Sequence, residues 1–426
     1  MQNSLARYLA SSRGSLTLLL SHSKAYPDED EPTQGRVLVI ECTSGHAQLK
    51  SDEENRDENS RFIKQITSMP TRGAVYSICP FYNGTVLLTV NSKTHLCQLS
   101  LDNDESGELK FVGAGHHGHM LSLFVSSLAR SGDTSSAGTG RQAKQLAIVG
   151  DLMRSLSLVE YLPKHNVVEE LARDYNANFC TAIEMLTSDI YLGSEGFNNL
   201  FLLRHNVNAL SEEARVRLDT VGEYHLGEMP NKFKCGSLIM PSQQGYSSAD
   251  SGGSLISEET NGSSLKTSFD RQRKVDVRVG SQTLYGTVDG TVGSILGLDG
   301  PTYAFLSTLQ RAMNSVVKSV GSLSHEEYRA YRAERQVRPS RGFVDGDMIE
   351  TFLDLNRPTM EKIVKYMNDD GRWRIRDDGL GFSGHNDKEQ TLMDTGINED
   401  VPSSPNSFML TVESVLSVVE EISMMH

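Results

Sequence analysis

One design recurs three times in this chain: an apolar pair, a glycine, a few turn residues, a small polar residue and an apolar-x-apolar exit. It reads "AIVGDLMRSLSL" at 147–158, "YLGSEGFNNLFL" at 191–202 and "LYGTVDGTVGSI" at 284–295. Apolar runs flanking a short polar turn pair as antiparallel hairpins, and the glycine is expected to supply the backbone freedom of the turn. Gly150 and Gly193 lie 43 residues apart, near the roughly 40–50-residue period of propeller blades. Further strand-length runs rich in Val, Ile and Leu stand at 36–42, 73–81, 85–90 and 119–128. The expected fold class is mainly β, a β-propeller, with a β-sandwich as the alternative.

After residue 300 the period becomes helical. Pro301 suits a first helical turn, Phe305, Leu309, Val316 and Val320 follow one face, and Gly321 suits the end. Pro358 opens a second helix with Met360, Ile363, Val364 and Met367 on one stripe. A last helix aligns Phe408, Val412, Val415, Leu416, Val419 and Ile422. Four stretches interrupt these patterns. Residues 51–61 are charged, 131–144 are rich in Gly, Ser and Thr, and 241–270 hold nine Ser and four Gly. Residues 369–407 are acidic and polar. Such compositions bury too little apolar surface to offset ordering entropy, and all four are expected to be solvated loops. The expected domains are 1–299, with inserts at 51–61, 131–144 and 241–274, and 300–426, with an insert at 369–407.

Charge narrows the function. The net charge of −14 opposes direct binding of free nucleic acid, which needs Lys and Arg against the phosphates. Cysteines 42, 79, 97, 180 and 235 form no C-x-x-C pair and read as buried thiols in a reducing compartment. No run of 18 apolar residues is present, so no membrane span is expected. The first 27 residues hold arginines, serines and no acid. Mitochondrial transit peptides share that composition, but "LTLLL" (16–20) reads as a strand.

The densest acidic cluster in the patterned regions is "GFVDGDMIETFLDL" (342–355). Asp345 is placed to cap a helix, Asp347 to favour its dipole, and Met348, Ile349, Phe352, Leu353 and Leu355 to form its apolar face. The spacing lacks the alternating oxygen ligands of a calcium loop. "HHGH" (116–119) has no cysteine or carboxylate at zinc spacing and reads as a turn. "GSEGFNN" (193–199) precedes a strand and reads as a hairpin turn, not a phosphate loop. "RQRK" (271–274) reads as a linker charge run, with nuclear import as the alternative. No nucleophile elbow, P-loop or dinucleotide fingerprint occurs. No catalytic, cofactor or metal site is therefore expected, and a repeat β scaffold without one points to protein recognition.

Several stretches together resemble one family. They are "GDLMRS" (150–155), "LARDYNANF" (171–179), "LGSEGFNNLF" (192–201), "HLGE" (225–228), "KSVG" (318–321), "ERQVRPSRGFVDGDMIETFLDLNRP" (334–358) and "VVEEI" (418–422). They are similar to the C-terminal third of the large subunit of the UV-damaged DNA-binding protein family, the adaptor of cullin-4 ubiquitin ligases. A sister group, the large subunits of the cleavage-and-polyadenylation factor and splicing factor 3b, shares the region. The resemblance implies the latter part of a third seven-bladed propeller followed by a small helical domain. Because the chain opens inside a strand, the expectation is a fragment, a truncated gene model or one piece of a split protein.

The resemblance also implies partners. Substrate receptors would dock in a propeller cleft, cullin-4 would bind through domains absent here, and damaged DNA would be reached through a receptor, in nucleus and cytoplasm. No membrane and no catalytic role is implied; an RNA-processing scaffold is the alternative. Matched position by position, the receptor-facing residues are Ala74, Tyr76 and Ser77; Leu121, Leu123 and Phe124; Leu152; Phe179, Thr181 and Ala182; and Met229 and Asn231. Phe179 stands where Trp is expected, and Gly196 where a side-chain amide is expected. Some of these residues could instead only pack between blades.

Overall fold

The computed structural model describes residues 6–10, 15–24, 26–44, 61–101, 107–128, 145–239, 279–318, 321, 323–334, 336–369, 373–376, 379–382 and 409–425. The expected inserts at 51–60, 131–144 and 241–274 lie outside these residues, as do Val320, Phe408 and "RQRK". Within 369–407, Trp373–Arg376 and Gly379–Phe382 pair as a short hairpin.

The chain divides into two units. The first comprises residues 1–234, 285–293 and 329–342; the second comprises 235–284, 294–328 and 343–426. Antiparallel sheets follow one another along the sequence. The first has strands β1 (Ala6–Ala10), β2 (Ser15–Lys24), β3 (Gln34–Ser44) and β4 (Arg61–Thr71) in that order. The second has β5 (Val75–Pro80), β6 (Thr85–Val90), β7 (Lys93–Leu101) and β8 (Gly107–Phe111), with the short β9 (His116–His117) on β7. In the third run β10 (Ser122–Ser127), β11 (Gln145–Asp151), β12 (Leu156–Leu162) and β13 (Val167–Arg173). The fourth holds β14 (Cys180–Met185), β15 (Ile190–Glu195), β16 (Asn199–His205) and β17 (Leu218–His225), with the single-turn α1 (Glu212–Arg215) between the last two. A three-stranded sheet of β18 (Pro230–Cys235), β19 (Val279–Thr287) and β20 (Val292–Leu298) follows. The chain is mainly β, and its meandering four-stranded sheets are those of propeller blades.

Why the strands read as unbroken apolar runs is visible in the packing. Side chains alternate across a strand, and in β6 Val86, Leu88 and Val90 join one core with Leu19, Val37 and Val39 of the first sheet. Leu87, between them, points the other way, into a core with Val125, Ala147 and Val149 of the third sheet. Ile148, between Ala147 and Val149, in turn joins Ile183, Tyr191 and Phe201 of the fourth. Each middle sheet is covered on both faces, so both alternating sets must be apolar.

The glycines of the recurring design have a different purpose from the expected one. Gly150 and Gly193 lie inside β11 and β15. The left-handed backbone of the turns is taken by Ser155 (φ 57°), Asn198 (φ 64°) and Gly290 (φ 98°). A Cβ on Gly193 would overlap the ring of Phe201, which is buried; one on Gly150 would sit 3.0 Å from Ile183. Gly193 is there for close approach across the sheet. Gly193→Ala is therefore expected to lower stability by about 1–3 kcal/mol through overpacking, read as a lower urea midpoint.

In the second unit, α2 (Gly300–Val316) starts on Asp299, whose carboxylate accepts from Thr302 N, with Pro301 in the first turn. It ends at Val316, five residues before the expected Gly321. After α3 (His325–Arg329) come α4 (Gly346–Glu350), a 3-10 turn at Thr351–Asp354, α5 (Arg357–Asp369) and α6 (Val412–Ser423). Thr411 and Ser414 form a capping box on α6. Phe305, Leu309, Ile349, Phe352, Ile363, Met367, Val415 and Val419 are fully buried in one core. Val418 takes the buried place expected of Leu416, which packs partly exposed against this core.

Asp345 caps α4, accepting from Met348 N at 3.4 Å. It does more than the sequence suggests. The carboxylate is buried and lies 2.7 Å from His325 Nε2, while its backbone N–H donates to Gln310 Oε1 at 2.8 Å.

Candidate partner-binding row

The residues matched by resemblance stand at one repeated position: the start of the first strand of consecutive sheets, or the adjoining turn. Three of those strands carry the same irregularity. Pairing with the second strand slips between Val75 and Ser77, between Ser122 and Phe124, and between Cys180 and Ala182. Tyr76, Leu123 and Thr181 are thus the extra residues of three equivalent β-bulges, a device that re-aims a side chain relative to the pleat.

Hydrogen bonds link this end of the sheets in series. Asn91 Nδ2 donates to Pro32 O, its Oδ1 accepts from Ala74 N, and its carbonyl accepts from Ser122 N. Leu152 N donates to Leu121 O at 2.9 Å, so these two residues are neighbours. Ser155 N donates to Asn178 O, and Gly196 N to Phe179 O at 3.0 Å. Thr181 Oγ1 donates to Pro230 O at 2.7 Å. Val288 N donates to Met229 O at 3.0 Å.

The row divides by burial. Ala74, Ser77 and Ala182 are buried, so they pack and bond rather than present a surface; Ser77 Oγ accepts from Val125 N. Phe124 packs against the core between the third and fourth sheets. Tyr76, Leu121, Leu123, Thr181 and Met229 are half-buried, and Asn231 is exposed. Leu152 is 37% and Phe179 43% exposed, so neither is held in a core. Sequence reasoning missed Met120, Met153, Tyr175 and Phe197, large apolar residues exposed at the same end. Three of them lie inside the quoted motifs, and their position in hairpin or inter-sheet turns was the available signal.

Behind the row lies a buried polar layer. Asp174 accepts from Ser155 Oγ at 2.6 Å and from Asn176 N and Nδ2. Glu195 accepts from Asn199 Nδ2, whose amide also bonds both the N–H and the carbonyl of Arg332. Burial raises the carboxyl pKa of both Asp174 and Glu195 against these hydrogen bonds. A carboxyl pKa raised on folding adds stability below its unfolded value, and that stability is lost as pH rises through the folded value. Glu195→Gln keeps an oxygen for Asn199 and is expected to flatten this loss. The wild-type urea midpoint should fall more than the variant's between about pH 5 and pH 7.5; parallel midpoints would refute this.

The buried thiols are inert: burial pushes Cys97 up to about 12 and raises Cys180 further. Cys79 is buried too, whereas Cys42 is half-buried and Cys235 exposed, against the expectation of burial throughout. Among the described residues no helix is long and apolar enough to cross a membrane.

Repeated blade-like sheets with a bulged row at one end define a β-repeat scaffold. Residues 10–354 match the family model described as the CPSF A subunit region, and the chain belongs to that family. It is 38% identical over 342 residues to DNA damage-binding protein 1b of Arabidopsis thaliana, covering 80% of this chain and 26% of that protein. It is similarly 38% identical over 344 residues to DNA damage-binding protein 1a of the same plant. DNA damage-binding protein 1 of Oryza sativa subsp. japonica is 37% identical over 343 residues. The chain spans about a quarter of the length of these relatives (26%).

Proposed function

We propose that this chain is the receptor-docking portion of an adaptor for a cullin-4 RING ubiquitin ligase, acting in the nucleus and the cytoplasm. The observation that carries the reading is the threefold bulge. Equivalent bulges re-aim Tyr76, Leu123 and Thr181 at one end of three successive sheets, beside the exposed Leu152 and Phe179. A half-buried apolar row of this kind suits a helix laid across it, with a few anchors contributing most of the energy. The relatives named for binding damaged DNA support a role in repair. The chain's own net charge of −14 favours contact with damaged DNA through a bound receptor. The protein is not an enzyme in this reading: residues 1–299 are the latter part of a propeller, residues 300–426 a helical domain, and the cullin binds elsewhere.

The family description also covers cleavage and polyadenylation subunits, which favours a second reading as an RNA-processing scaffold. Purification of the tagged chain from cells, with its partners identified by mass spectrometry, separates the two. Ligase substrate receptors are expected; splicing or polyadenylation subunits without any receptor would replace the first reading by the second.

A further inference from the structure

The loop between β8 and β10 carries two imidazoles in contact. His116 Nδ1 and His119 Nε2 lie 3.1 Å apart, and His116 Nε2 lies 3.6 Å from the Glu170 carboxylate. His119 is buried, and its Nδ1 has no hydrogen-bond partner. A neutral imidazole has one donor nitrogen and one acceptor. The assignment that suits these contacts has His119 Nε2–H donating to His116 Nδ1, with His116 Nε2–H facing Glu170. His119 Nδ1 is then a buried lone pair. The opposite assignment would leave a buried N–H without an acceptor, the rarer fault in folded proteins.

On His116 the nitrogen left to take up a proton is therefore Nδ1, the atom that holds His119. His119 cannot take the proton instead. Burial, then the charges of His116, Arg173 and Arg154 acting against Asp151, push its pKa down to about 3. The loop is tied to β7, where His116 and His117 pair with Thr94 and the charged Lys93, and its other ties come from two further elements. From the β11–β12 turn, Arg154 Nη1 donates to Gly118 O at 3.2 Å, and Asp151 Oδ2 accepts from Met120 N and Leu121 N at 2.6 and 3.0 Å. From β13, Arg173 Nη2 donates to Gly118 O at 3.1 Å and to Glu170 at 2.6 Å. That last contact offsets the carboxylate charge that would favour a cation on His116.

We propose that residues His116–Leu121 form a proton-released latch: a proton taken up by His116 displaces the hydrogen bond from His119, and the loop opens while the sheets behind it stay folded. The opening would expose Met120 and Leu121, whose N–H groups are held by Asp151.

Hydrogen–deuterium exchange of the full chain tests this with no bound partner. Peptides covering Met120 and Leu121 are compared with peptides of β15 and β16 at about pH 7.5 and about pH 5, on either side of the imidazole range, after correction for intrinsic exchange. The loop is expected to exchange about ten-fold faster, relative to the reference, at the lower pH. His119→Asn abolishes that difference, because a side-chain amide can turn either its N–H or its carbonyl toward His116 and hold both protonation states. His116→Gln cannot titrate, and its loop protection is independent of pH whatever its level. The latch is overturned if loop and reference keep one ratio at both pH values in the wild type. It is equally overturned if the dependence survives in either variant.

Discussion

Replacing Asp345 with alanine is expected to destabilise the second unit by about 2–4 kcal/mol. The lost helix cap accounts for about 1 kcal/mol. The rest comes from His325, whose Nε2 lies 2.7 Å from the carboxylate, and which would be left half-buried without that acceptor, a fault worth about 1–3 kcal/mol. Met348 N loses its acceptor at the same time. Trp373, the only tryptophan in the chain, lies in this unit, so urea unfolding followed by its fluorescence reads the change. Asp345→Asn keeps an oxygen for Met348 N and puts an N–H donor before His325 Nε2, which accepts it in the other tautomer, so its loss should be clearly smaller. The acidic stretch at 342–355 is thus the start of a helix. Stoichiometric calcium or zinc bound by the wild type and lost in Asp345→Ala would sink that conclusion.

Phe179→Ala separates docking from packing. Burial between blades would make the truncation cost about 3–5 kcal/mol of stability. At 43% exposure the ring has no such core to leave, and the melting temperature should change little. If the ring anchors a helical partner in the row, its loss should weaken binding by about 2 kcal/mol, roughly thirty-fold. The paired measurement is thermal unfolding of both proteins and titration with a substrate receptor recovered by the wild-type chain. A lowered melting temperature with unchanged affinity among the folded molecules would assign Phe179 to packing and remove the centre of the proposed row.

Much of the architecture could be read from the sequence because its signals are local. The run at 36–42 lies within β3, the three recurring segments are the hairpins β11–β12, β15–β16 and β19–β20, and Met360, Ile363, Val364 and Met367 are the buried face of α5. The glycines were misread because a turn and a close approach leave the same letter. Only the ring of Phe201, on the neighbouring strand, shows which applies at Gly193. The bulges at Tyr76, Leu123 and Thr181 are a property of pairing between two strands, so neither strand alone announces them. The same holds for Asp345, where His325 and Gln310 lie 20 and 35 residues away. Position-by-position resemblance picked residues that share one end of the sheets, but it could not separate the buried Ala74, Ser77 and Ala182 from their half-exposed neighbours.

The segment Arg329–Gly342, with its short hairpin β21 (Tyr331–Ala333) and β22 (Gln336–Arg338), lies against the fourth sheet. Arg338 and Arg341 both reach the Glu223 carboxylate, at 2.9 and 3.0 Å, though its side chain is only 3% exposed. Tyr331 reaches Asn178 across 153 positions. During synthesis these partners arrive late. Arg341 follows Glu223 by 118 residues, which at roughly 5–20 residues per second is a wait of about 6–24 s. For that interval the emerging fourth sheet holds a carboxylate whose counterions have not been made. A ribosome that stalls or stops inside this window releases a chain whose early strands are all present but whose buried acid has no guanidinium to meet, a species marked for chaperones or proteolysis by what has yet to be translated.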